Sequence, residues 1–234
     1  MLNQMQKSIT AIAVLAAISL PAMANSVDVR VVGTITPSAC TPTVSGNGTF
    51  DYGTIKPDTL SDTDFTVLAE KTLDFSIACD APTKVGFKVT SQRPGSAVAA
   101  DGSLQEDPTR PVPLFGLPAG NHGAFGLGLN GSKGIGGYGL RLVPDTITAD
   151  GASVKLIAID GSNNTITPLG GAIDGGSAWN YTYSFATQTT SVPMTLSTLS
   201  AQLSTQAYIN KKSELDLTKP VALDGLATIE MVYL

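Results

Sequence analysis

"SVDVRVVGTITPSAC", Ser26 to Cys40, alternates along most of its length. Val27, Val29, Val31 and Ile35 fall on one face with Gly33 among them, and Ser26, Asp28, Arg30 and Thr34 fall on the other. Only Val32 breaks the pattern. A period of two predicts an extended strand with one apolar face, and so a β architecture from the first residues onward. The position of this strand is unusual. Just upstream, Lys7, the apolar run Ile9–Leu20, the breaker Pro21 and the small-x-small triplet Ala22-Met23-Ala24 read as a secretory leader, residues 1–24, cleaved before Asn25. The apolar run is too short to span a bilayer, which takes about 20 residues. The strand would therefore begin almost at the mature terminus, where chains fray unless something ties them down.

Cleavage leaves roughly 210 residues, enough for one large all-β domain. Charged residues make up 14% of the chain and the formal net charge is −5, with no basic patch, which argues against nucleic acid as a partner. No later stretch is long and apolar enough to form a stable membrane anchor. The two cysteines, Cys40 and Cys79, both follow the leader, and an even count in an exported chain predicts a disulfide. Closing their 39-residue loop stabilises by roughly 4 kcal/mol on the chain-entropy account.

Downstream, short alternating or apolar runs are separated by turn residues, as in a sandwich or barrel. Strands are expected over 48–55, 71–79, 84–91, 138–144, 152–160, 179–186 and 224–234. Leu196, Leu199 and Leu203 sit at helical spacing, so a short helix is expected there. A long insertion occupies about 95–135, with no linker splitting the domain.

Chemical motifs are sparse. Gly126, Gly128 and Gly131 fit G-x-G-x-x-G, but the glycine-rich residues that follow are unsuited to the helix that would meet a pyrophosphate, and a loop is expected. His122, the only histidine, lies in a turn-like context without a nucleophile-elbow sequence and reads as a surface-loop residue. Neither the cysteines nor the carboxylates have metal-ligand spacing. The expectation is a protein with no cofactor and no catalytic activity. Trp179, Tyr181, Tyr183 and Phe185 would share one face of a strand. Core packing is the first reading of that stripe, and a platform for sugar rings made by Trp179, Tyr181 and Tyr183 is the second.

The chain ends as it begins: Ala227, Ile229, Met231 and Tyr233 alternate to the terminus. Gly33 in an alternating N-terminal arm, a cysteine seven residues later, "FSIAC" at the second cysteine and a penultimate tyrosine together resemble pilin subunits of the chaperone–usher pathway, closest to the GltF-like branch of fimbrial-type proteins. The likeness covers residues 27–91 and 205–234; the middle, about 95–180, is longer than in ordinary major pilins. It implies an incomplete immunoglobulin-like β-sandwich over residues 37–234, with a donor-strand extension at 25–36. It also implies a structural role in a fimbria, with a periplasmic chaperone, an outer-membrane usher and neighbouring subunits as partners, and export through the periplasm to the cell surface. Val27, Val29, Val31, Gly33 and Ile35 would form the donor strand, and Ala227, Ile229, Met231 and Tyr233 the chaperone-binding strand. A carbohydrate-binding minor or tip subunit, and a self-contained exported sandwich, are the competing readings.

Overall fold

The computed structural model describes residues 29–34, 38–175 and 180–234. The leader, its cleavage site, Val27, Ile35 and Trp179 lie outside them. The chain divides into two units, Met1–Thr36 and Pro37–Leu234. In the first, the described residues 29–34 belong to no assigned strand.

The second unit is all-β, its only helical pieces being single 3-10 turns among the described residues. Seven strands carry it: β1 (Cys40–Val44), β2 (Lys71–Ser91), β3 (Gly136–Leu142), β4 (Ala152–Ile159), β5 (Thr182–Thr187), β6 (Thr195–Ile209) and β7 (Ala227–Tyr233). β2 organises the rest. Its first half lies between β1 and β6, and β6 in turn pairs with β3. Its second half lies between β7 and β5, and β5 in turn pairs with β4. One strand thus serves both layers of a sandwich-like arrangement.

The sequence predicts two strands where β2 is one. The break falls at Pro82, where the partners of β6 jump from Thr83 to Ala78. Proline cannot donate to a ladder, so a mid-strand proline belongs at such an irregularity. On either side the alternation holds: Phe75, Ile77, Val85, Phe87 and Val89 are buried. Phe87 stacks on Tyr183 at 5.5 Å and lies 6.0 Å from Phe75 and Phe185, which ties the layers together.

Two expectations are corrected. Residues 48–55 form no strand; Gly48 and Gly53 adopt left-handed φ of 70° and 63°, and these break the extended run. Phe50 and Tyr52 still pack against the core. The stretch expected to be helical is part of β6. Its register shifts between Leu196 and Thr198, so Leu196 and Leu199 both turn inward despite their spacing of three.

The middle region is built of short pairings: Ala97–Val98 with Leu104–Gln105, Phe125–Gly126 on β3, and a hairpin of Leu129–Asn130 with Lys133–Gly134. It packs on the body through a second cluster of Val98, Leu114, Ala124 and Tyr208. Gly128 and Gly131, with φ of 86° and 65°, flank and turn that hairpin, and no helix follows.

Candidate functional site

Among the described residues β1 and β7 each pair only with β2, and they do so along the same side of it. β1 aligns Cys40 with Cys79 and Val44 with Phe75; β7 aligns Tyr233 with Val85 and Ala227 with Ser91. The C-terminal end of β7 therefore abuts the N-terminal end of β1. The Cys40 N–H donates to the Tyr233 hydroxyl at 2.9 Å, and the Leu234 N–H to the Lys84 carbonyl at 3.1 Å. Cys40 and Cys79 are bridged, which locks the start of β1 onto β2 at this junction.

The outward side of β7 has no ladder partner among the described residues, so it is a sheet edge with unpaired backbone groups. Ala227, Ile229 and Met231 are half-buried and pack against the core, while Tyr233 is 51% exposed. The segment before β7 is pinned by Arg93, whose Nε and terminal nitrogen donate to the two Asp224 oxygens at 2.7 Å each. That pair holds the Asp224 carboxyl below the usual carboxylate range. In the N-terminal unit, Val29 and Val31 are 84% and 96% exposed, and a Cβ on Gly33 would meet nothing within 4 Å.

A second constellation joins the insertion expected at about 95–135 to the strand that carries Tyr183. His122 is buried, which corrects its reading as a surface residue. Its Nδ1 is 3.4 Å from Asp174 Oδ2, a long contact, and its Nε2 is buried without a hydrogen-bond partner. Asp174 Oδ1 accepts the Gly123 N–H at 2.6 Å, and the Asp174 N–H donates to the Tyr183 hydroxyl at 2.6 Å. Arg110 is buried nearby and donates through Nε to the Gly123 carbonyl at 3.1 Å. Burial lowers its guanidinium to about 10, with the Asp174 charge opposing the shift. Burial, with Asp174 second, raises the Tyr183 phenol. Tyr183 and Phe185 are core residues, so Tyr183 offers no face for a sugar ring, whereas Tyr181 is half-buried at the edge of this cluster. No local motif announced the cluster, because its members are brought together from positions 110, 122 and 174. Among the described residues no group of three or more His, Cys, Asp or Glu side chains is placed to hold a metal. No helix there is long and apolar enough to cross a membrane.

Residues 29–139 match the family described as "Protein of unknown function (DUF1120)". Two proteins of Escherichia coli K12 are similar along nearly their whole length. "Protein GltF" is 28% identical, covering 98% of this chain and 99% of its own. "Uncharacterized protein YhcF" is 27% identical, covering 89% and 90% respectively. The similarity to GltF spans the enlarged middle region as well as both ends, so the middle is shared with that protein rather than peculiar to this chain.

Proposed function

We propose that the chain is a structural subunit of a surface fimbria, held first by a periplasmic chaperone and then, at an outer-membrane usher, by the N-terminal strand of the next subunit. The reading involves no turnover and no cofactor. Its chief support is β7: the last strand is a sheet edge, its inward face is apolar and half-buried, and no strand of the described chain covers its outer side. An added strand would satisfy its backbone groups, with pockets for alternate side chains giving specificity. Val27, Val29, Val31 and Ile35, with Gly33 where a side chain would crowd a shallow pocket, have the alternation such a strand needs. Val29 and Val31 are apolar, and both stand in solvent.

A peptide of residues 25–36 tests the reading directly. Added to subunit released from its chaperone, it is expected to bind and to raise the melting temperature, since a ligand selective for the folded state stabilises it. The Gly33→Leu peptide is expected to bind far less, because the added side chain must distort the groove or shift the register. If neither peptide binds, and the subunit never copurifies with a periplasmic chaperone, strand exchange is wrong and the self-contained sandwich takes its place.

A further inference from the structure

We propose that Arg30, on the arm of a neighbouring copy of this chain, pairs with Glu230 on β7 and so sets the register in which the arm joins the edge. On the strand-exchange reading, on which this inference rests, these two residues give the edge its specificity. Glu230 is the only charged residue of β7; it is exposed, and it stands opposite Lys88 of β2 in the ladder. Lys88 Nζ donates to the Asn180 side-chain carbonyl at 3.3 Å. Among the described residues Glu230 makes no ion pair. The flank of Glu230 that faces away from Lys88 is the unpaired edge. A cation arriving there completes a row of alternating charge across three strands, which is favourable where like charges opposite one another are not.

Directly opposite residues of a sheet share a face. Val29, Val31 and Gly33 of the arm must therefore stand opposite Ala227, Ile229 and Met231, the residues of β7 that pack on the core. A slip of one residue turns the whole apolar set outward, whereas a slip of two leaves the faces intact. Apolar alternation by itself thus permits several registers. Antiparallel pairing is the more stable per residue, and in that direction each permitted register sets a different arm residue opposite Glu230. With Arg30 there, Val29 meets Met231, Val31 meets Ile229, and Gly33 meets Ala227, the smallest inward side chain of β7. A slip of two one way sets Asp28 directly against Glu230, like charge on like charge. A slip of two the other way sets Val32 there and leaves the carboxylate without its cation. Asp28 and Arg30 are the only charged residues of 25–36, and Arg30 is exposed. Charge thus chooses among registers that burial cannot tell apart.

The test titrates the folded chain with the peptide of residues 25–36, followed by calorimetry and by isotope-edited NMR. The wild-type peptide is expected to bind with nuclear Overhauser contacts from Val31 to Ile229 and from Val29 to Met231. Arg30→Gln in the peptide and Glu230→Gln in the chain should each weaken binding roughly threefold. The two together should weaken it no further than either alone, because both remove the same contact. Arg30→Glu in the peptide should weaken binding to the wild-type chain roughly tenfold, and raised salt should narrow that gap. The melting temperature of the Glu230→Gln chain shows that it is folded. Three results overturn the register while leaving strand exchange in place: binding indifferent to both charges, losses that add, or contacts that pair Val29 with Ile229. If the wild-type peptide binds nothing, strand exchange itself fails and this register fails with it.

Discussion

Asp150 shows how a single side chain can couple the fold to pH. It sits at φ 48° in the turn before β4, and its carboxylate accepts the Thr198 N–H at 2.8 Å and the Ser197 N–H at 3.1 Å, at the point where β6 shifts register. These backbone donors, Thr198 first, lower its pKa. A carboxylate whose folded pKa lies below its unfolded value, about 3.9, contributes stability that is present above that value and lost as pH falls through the folded one. Asp150→Asn keeps a residue tolerant of left-handed φ and removes the charge. The wild-type advantage in melting temperature over Asp150→Asn should therefore be full near neutrality and shrink below about pH 4. A difference that stays constant down to pH 2 would show that the bonds to Ser197 and Thr198 do not depend on ionisation. His122 teaches the complementary lesson: its type and neighbours in sequence suggest a loop surface, yet it is buried, with Asp174, far along the chain, beside its ring.

At the scale of elements, β1 is short, an edge, and held to β2 by the bridge at its first residue. Replacing both Cys40 and Cys79 by Ala should lower stability by about 2–5 kcal/mol, read by denaturant unfolding. An unchanged midpoint would mean that the β1 ladder alone confines the chain. β7 makes the opposite case, because its inward residues are only half covered. Met231→Asp places charge where the side chain packs on the core, and a loss of roughly 1–3 kcal/mol is expected, read by denaturant unfolding. Glu230→Gln, on the exposed side of the same strand, should change stability by no more than about 0.5 kcal/mol. Equal effects of the two would remove the argument that β7 has one buried face.

At the scale of the whole molecule, an arm that serves a neighbouring subunit, as the strand-exchange reading has it, adds little to the stability of its own chain. A chain lacking residues 25–36 should therefore keep its disulfide and melt within about 2 °C of the chain that retains them. A large drop would show that the arm pairs within its own chain, against the strand-exchange reading. On the strand-exchange reading the same deletion should also prevent the chain from completing a neighbouring subunit, so loss of assembly without loss of stability is the joint result that reading expects.

Local alternation was enough to establish the all-β class, the strands at 71–79, 84–91, 138–144, 152–160 and 224–234 to within a few residues, and the disulfide, because period-two patterning and a lone cysteine pair are carried by neighbouring residues and by composition. Other features required tertiary contacts. The two halves of β2 joined across Pro82 because each found partners in a different layer, and β6 displaced the expected helix because a register shift gave helical spacing to a strand. Left-handed glycines removed the strand at 48–55, although Phe50 still packs against the core. The buried polar cluster arose only where positions 110, 122–123, 174 and 183 converged, and a sequence read in windows has no signal for residues so far apart. Burial and convergence depend on what the rest of the chain places opposite a residue, and that is decided by packing.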